Sequence, residues 1–86
     1  MNSDVMPRQE VLKFAQEMER KLRLHDDRPH WKDSDFDYLF GRLKEEFFEL
    51  LDEVTSEEID PKKIIDEAAD VANFAMMIAD NARKLL

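Results

Sequence analysis

Four carboxylates in this chain form two pairs with the same internal spacing. Glu46 and Glu49 make the first pair, and Glu67 and Asp70 make the second. The i, i+3 spacing places both side chains of a pair on one face of a helix. The two pairs are symmetric about Glu58, which lies in the turn-like segment TSEEIDP. A helical hairpin folded there would set the pairs opposite each other as two acidic rungs roughly 4.5 Å apart.

Converging carboxylates of this kind are typical of a divalent-metal site, because four of them cannot all stay ionised without a cation between them. Hard oxygen ligands favour Mg²⁺, with Mn²⁺ as the alternative, over zinc. The chain also has no cysteine and only two histidines to hold a softer ion. The pattern therefore predicts a Mg²⁺ or Mn²⁺ site formed by all four acids.

The alternative is a solvated acidic face, which is the usual meaning of a run of acids on a helix. Arg42 precedes Glu46 by four residues and could pair with it, which supports this alternative. The second acidic pair favours the metal site. Glu67 and Asp70 share an arc of about 140° with apolar residues, so they lie on a face that must be buried, and an unpaired buried carboxylate is costly.

The elements that position these acids are predicted to be helices, since the chain has one glycine, three prolines and no alternating apolar-polar stretch. Asp60 followed by Pro61 is typical of a helix cap and first turn, and Ser34 with Asp37 gives a weak capping box. The predicted helices run from about Arg8 to Leu24, from about Ser34 to Val54, and from Pro61 almost to Leu86. The fold class is therefore all-α, three helices with a long antiparallel hairpin.

A chain of 86 residues is at most one domain, spanning 1–86, and such a short chain buries only about two-thirds of its unfolded surface. Apolar positions are nevertheless plentiful. Those of the second helix predicted to face the core are Leu39, Leu43, Phe47, Leu50 and Val54. We therefore expect a homodimer or homotetramer with a core of the four-helix-bundle type.

The formal net charge of −8 argues against a nucleic-acid backbone or an anionic membrane as partner. A phosphorylated small molecule stays possible if metal ions supply the positive field. The polar start MNSDVMPRQE is unlike a secretory signal, and no run approaches the roughly 20 apolar residues that span a bilayer. The expected location is cytoplasmic.

The segment Glu46-Phe-Phe-Glu49, seventeen further residues and then Glu67-Ala-Ala-Asp70 resemble the ExxE…ExxD signature of the all-α nucleoside triphosphate pyrophosphohydrolases. The doubled acid Glu45-Glu46 is similar to the MazG-like branch, and the resemblance covers roughly residues 10 to 82. Phe48 departs from the pattern, since MazG-like sequences often carry a small residue there.

The resemblance implies cleavage of a nucleoside triphosphate between the α and β phosphates, giving the monophosphate and pyrophosphate. It implies that the four acids of the two pairs hold Mg²⁺. Glu45, rotated by about 100° from Glu46, would bind a further ion or orient the attacking water. A solvated Glu45 is the alternative.

Four further residues are candidates for binding substrate. His25 and Arg28 have a spacing similar to a segment of dCTP pyrophosphatase-like members; Arg28 would bind a phosphate and Trp31 would stack on a base. Alternatively, Trp31 fills the core beneath a loop and Arg28 pairs with a neighbouring aspartate. Asn73, in an apolar stretch, would bind substrate or a ligand carboxylate, or satisfy a buried backbone group.

Two other functions stay open on the sequence. One is phosphoribosyl-ATP hydrolysis, since E-A-A-D is similar to that branch as well. The other is a non-catalytic helical interaction module that keeps its acids as a solvated face. Metal binding by the four acids distinguishes an enzyme from such a module.

Overall fold

The computed structural model describes residues 5–26 and 30–86, and within them the chain is helical, with no strand. Three α-helices follow one another: α1 (Gln9–Arg23), α2 (Phe36–Val54) and α3 (Pro61–Ala82). Short 3-10 turns cover Trp31–Asp33 and Arg83–Leu85. The predicted all-α class with three helices is confirmed.

Local sequence determines where the helices begin. Asp60 caps α3 by accepting hydrogen bonds from the backbone N–H groups of Lys62 and Lys63, and Pro61 occupies the first turn, as predicted. The predicted cap at Ser34 is wrong. Asp35 caps α2 instead, accepting from the N–H of Tyr38 at 2.8 Å, because Ser34 ends the preceding 3-10 turn, with its own N–H bonded to the backbone oxygen of Trp31.

α3 is the central helix. It packs against α2, against α1 and against both 3-10 turns, whereas α1 and α2 do not pack against each other within the described residues. The gap between α1 and α2 is therefore a groove floored by α3, and the functional candidates lie along it.

The core of the chain is small. Among the described residues, Leu39 and Ala69 are the buried hydrophobic side chains. The prediction that Phe47 and Val54 face the core is wrong within this chain, since they are 48% and 46% exposed. Among the elements that the structure describes, α2 packs on α3 alone, so part of its apolar circumference stays uncovered.

Within the two described ranges, no helix combines the length and apolar character needed to cross a membrane.

Candidate metal centre

Three carboxylates from two helices converge on one point. Glu46 and Glu49 of α2 and Glu67 of α3 each offer an oxygen, and these oxygens all lie within 4.8 Å of one another. Glu46 is buried, Glu67 is half-buried and Glu49 is exposed. The group is thus open to solvent on the side of Glu49 and closed behind Glu46.

The fourth predicted ligand, Asp70, lies beside this group without being part of it among the described residues. Its Oδ2 lies 3.3 Å from Nζ of Lys21, and both side chains are mostly buried. Lys21 comes from α1, so three helices meet at the acidic cluster. The structure places all four predicted ligands in one neighbourhood, with Asp70 neutralised by a lysine.

Burial and mutual repulsion raise the pKa values of two of these acids. Burial, followed by the charge of Glu49 beside it and then that of Asp70, raises the pKa of Glu46 from its ordinary 4.5 to about 7, against an opposing effect of Arg42. Burial raises the pKa of Glu67 as well, with Glu49 and Asp70 adding to it and Lys21 opposing. A cation placed between the two carboxylates would stabilise the ionised form of both.

A second observation supports a cation at this point. Oε2 of Glu67 is buried and has no hydrogen-bond partner within the described part of the chain. A buried charged oxygen without a partner is costly, and oxygen is the ligand that Mg²⁺ prefers. The donor set therefore fits a divalent metal ion.

Glu45, the predicted catalytic residue, lies outside the group of three. Its side chain is 63% exposed and forms an ion pair with Arg42. The same guanidinium lies 3.6 Å from Oε2 of Glu46 and 5.1 Å from the centre of the Phe74 ring. Arg42 thus contacts Glu45, Glu46 and the Phe74 ring of α3. The predicted contact between Arg42 and Glu46 is present, and Glu46 belongs to the acidic cluster as well.

A cavity of about 440 Å³ adjoins the cluster in the groove between α1 and α2. Residues of all three helices and of the connector line it. The charged, polar and aromatic ones include Lys21, His25, Asp26, His30, Trp31, Tyr38, Arg42, Glu46, Asp70, Asn73 and Phe74. Acidic, cationic and aromatic side chains therefore line one cavity. The volume of this cavity is in the range of small-molecule sites.

The aromatic wall is held by the end of α3. The rings of His30 and Trp31 stack with their centroids 4.0 Å apart. Trp31 is half-buried, and its Nε1 donates to Oδ2 of Asp80 at 3.1 Å. Asn81 donates to the backbone oxygens of Trp31 and Ser34. These bonds fix the indole at the cavity and leave part of it accessible.

The other predicted substrate-binding residues have different outcomes. His25 is exposed and lines the cavity, whereas Arg28 lies outside the described residues. Asn73 is buried and its Nδ2 donates to the backbone oxygen of Met18 at 3.1 Å. Its Oδ1 is buried without a partner in the described chain, so the amide satisfies a backbone group and still has an acceptor free.

Sequence reasoning did not identify Lys21, His30 or Asp80 as site residues. Lys21 is one of several charges along α1, and which of them meets α3 depends on how the two helices dock. Asp80 follows Asp70 by ten residues and lies about 80° from it around the helix, so helical spacing gave no signal for it.

Comparison of the chain with protein-family models, with curated proteins and with solved structures found no match.

Proposed function

We propose that this chain is a Mg²⁺-dependent hydrolase that splits a nucleoside triphosphate into the monophosphate and pyrophosphate, with Mn²⁺ as a possible substitute. The observation that carries the proposal is the convergence of Glu46, Glu49 and Glu67 within 4.8 Å, at the edge of a cavity with a stacked aromatic wall. Acids at one end and an aromatic face at the other match the two ends of a nucleotide. The ExxE…ExxD resemblance supports the same reaction.

In this proposal the two acidic pairs hold the metal: Glu46 and Glu49 from α2, Glu67 and Asp70 from α3. When bound, Mg²⁺ neutralises the charge that develops on the phosphate oxygens. The chain must first bring the four acids into the ionised form, which the raised pKa of Glu46 opposes at acidic pH. The side of the cluster that borders the cavity, at Glu46 and Asp70, leaves room for the substrate's phosphates.

Glu45 is proposed to orient the attacking water. Its carboxylate is paired with Arg42, so this role requires the guanidinium to release it. Water attacks one phosphorus of the anhydride between the α and β phosphates, and the bond from that phosphorus to the bridging oxygen breaks. If water attacks the α phosphorus, pyrophosphate leaves with the bridging oxygen. If water attacks the β phosphorus, the monophosphate leaves with the bridging oxygen. Either course consumes one water for each triphosphate.

The base is proposed to bind against Trp31, whose half-buried indole is held by Asp80. Asn73 lines the same cavity, and its Oδ1, which is buried without a partner in the described chain, would accept from an N–H group of the base once the amide turns toward the cavity. His25 lines the same cavity, and Arg28 is retained as a candidate phosphate ligand from the sequence. Base–aromatic stacking tolerates every base, so the amide is the better candidate for selectivity.

We further infer that α2 and α3 form an antiparallel hairpin. The support is a set of neighbours with a constant residue-number sum: Arg42 with Phe74, Glu46 with Asp70, and Glu49 with Glu67. A constant sum is the property of antiparallel elements that meet along their length. This is the register that the sequence symmetry about residue 58 predicts.

Association into a homodimer or homotetramer is part of the proposal. The chain exposes 7029 Å², against roughly 5300 Å² for a folded monomer of this mass. Its radius of gyration is 14.4 Å, against about 12 Å for a compact chain of this length. Large side chains exposed along one arc of α2 would be covered: Phe36, Phe40, Phe47, Leu51 and Val54. Pairing these faces in two copies would build a four-helix core.

The test is a product assay on purified protein with each ribo- and deoxynucleoside triphosphate and Mg²⁺, measuring pyrophosphate and orthophosphate separately. The expected result is pyrophosphate with the monophosphate, lost in EDTA and in Glu67→Gln but retained in Asp52→Asn, whose side chain is exposed on α2. Orthophosphate as the product would contradict cleavage between the α and β phosphates.

The arc of large exposed side chains on α2 also favours a second candidate, which is a helical interaction module without catalysis. A folded protein that turns over no triphosphate should next be offered phosphoribosyl-ATP. If that also fails and Mg²⁺ leaves the thermal unfolding temperature unchanged, the module is the better account.

A further inference from the structure

Lys21 is an ammonium group placed at the point where the metal cluster meets the cavity. Its Nζ lies 3.3 Å from Oδ2 of Asp70, and the two side chains are only 16% and 22% exposed. It lines the same cavity as Arg42 and Glu46. This lysine is therefore positioned to contact anything that occupies the cavity next to the acids.

A neighbouring ion pair shows that this burial is not needed simply to join α1 to α3. Arg20 pairs with Asp66 across the same two helices, and those side chains are 50% and 40% exposed. A surface pair of this kind joins the helices without desolvating a charge. The Lys21–Asp70 pair carries a desolvation cost that the Arg20–Asp66 pair avoids.

We propose that Lys21 is a phosphate-binding residue that exchanges its partner during substrate binding: Asp70 turns to the divalent cation, and the ammonium group turns to an oxygen of the substrate's phosphate chain. This inference rests on the proposed function, because it takes the acidic cluster as the cation site and a triphosphate as the ligand.

The exchange follows from the charges around Lys21. A divalent cation among Glu46, Glu49 and Glu67 attracts the carboxylate of Asp70, which already repels two of those acids. The half-buried ammonium then loses its counter-charge, and an uncompensated charge away from water is costly. Asp26, the acid of the cavity wall that lies outside the cluster, is exposed and its charge is solvated, so an entering phosphate is the stronger partner.

The exchange predicts opposite effects on the two ligands when Lys21 is removed. Without the ammonium, a metal ion alone meets a more negative site and binds more tightly, by at least roughly threefold to tenfold, which is the size of the interaction at the dielectric of bulk water. The metal–phosphate complex loses a charge-assisted hydrogen bond and binds at least about tenfold more weakly. A lysine that only joined α1 to α3 would weaken both ligands in parallel when removed.

The experiment titrates full-length protein with Mn²⁺ alone, followed by the loss of the free-ion paramagnetic resonance signal, and then with the Mn²⁺ complex of inorganic tripolyphosphate by calorimetry. The variants are Lys21→Met and Lys21→Arg, with Arg20→Met as the matched control, since it removes the exposed pair between the same helices. We expect opposite shifts in Lys21→Met, near wild-type binding in Lys21→Arg, and no change in Arg20→Met.

A second variant keeps the test decisive if Lys21→Met does not fold. Asp70→Asn frees the ammonium without removing it, so free tripolyphosphate in EDTA should bind this variant more tightly than wild type. Tripolyphosphate binding unchanged in both Lys21→Met and Asp70→Asn would overturn the proposal, as would parallel weakening of both ligands in Lys21→Met or a wild type that binds no tripolyphosphate.

Failure of the hydrolase proposal gives a different pattern. A wild type that binds tripolyphosphate through Lys21 but releases no pyrophosphate from any triphosphate retains the Lys21 inference and loses the reaction. A wild type that hydrolyses triphosphates, with Lys21→Met binding and hydrolysing equally well, retains the reaction and loses the Lys21 inference.

Discussion

Replacing Glu46 with glutamine should stabilise the metal-free protein at alkaline pH. Burial and the neighbouring acids raise the pKa of this carboxyl from 4.5 to about 7. Between these values the folded state binds more protons than the unfolded state, so the free energy of unfolding falls as pH rises. The loss is complete above pH 7 and absent below pH 4.5.

The size of the effect follows from the shift. A difference of about 2.5 between the two pKa values corresponds to an upper bound on the order of 3 kcal/mol. The glutamine keeps the shape of the side chain and removes the ionisation. For a domain of this length, each kcal/mol changes the unfolding temperature by roughly 4 to 8 °C, so we expect Glu46→Gln to unfold higher than wild type at pH 8 in EDTA, by at most about 12 to 24 °C.

The assay is thermal unfolding followed by circular dichroism at pH 8 and at pH 5, in EDTA and in excess Mg²⁺. Asp52→Asn, which removes an exposed acid of the same helix, is the control for net charge. At pH 5 Glu46→Gln should gain little. With Mg²⁺ at pH 8 the wild type should recover most of the difference, because a ligand that binds only the folded state stabilises it.

Three results would refute this reasoning. An unfolding temperature for Glu46→Gln no higher than that of wild type at pH 8 would mean that the buried carboxylate is not a source of instability. An equal gain at pH 5 and pH 8 would attribute the effect to packing instead of charge. An equal gain in Asp52→Asn would attribute it to the net charge of −8.

Three further predictions use the same site and its surroundings. Because the pKa of Glu46 is about 7 and a metal ligand must be deprotonated, Mg²⁺ measured by calorimetry should bind roughly tenfold more weakly at pH 6 than at pH 8; equal affinities would exclude Glu46 as a ligand. Trp31 is the single tryptophan, so nucleotide binding should change the intrinsic fluorescence. Asp80→Asn weakens the acceptor for the indole N–H and should therefore raise KM with little change in kcat. An unchanged KM would place the base elsewhere. Light scattering after size exclusion should give a dimer or tetramer for wild type and a smaller species for Phe47→Asp, and a wild-type monomer at micromolar concentration would contradict the association.

The parts of the fold that depend on neighbours in sequence could be predicted. Asp60 and Pro61 specify the start of α3 through local geometry alone. The two acidic pairs lie on α2 and α3, which a short connection joins, so their spacing in the sequence predicts that they meet. The choice of Asp35 over Ser34 as the cap of α2 was not predictable, because both residue types favour that position and they are adjacent.

The parts that depend on how distant helices dock could not be predicted. Lys21 and Asp70 lie on helices separated by the whole of α2, and no local pattern gives the register between α1 and α3. Phe47 and Val54 fit an apolar stripe, but a helical wheel does not say which part of a wide stripe meets α3. The aromatic wall depends on a bond from Trp31 to the end of α3, which is likewise non-local.

The position of α3 between its two neighbours has a consequence for the order in which the molecule opens. Because α1 packs on α3 and not on α2 within the described residues, α1 can detach without breaking any contact between α2 and α3. Local opening follows such boundaries. The backbone amides of α1 should therefore exchange with deuterium through a partial opening, while those in the middle of α3 exchange only when α2 and α3 separate.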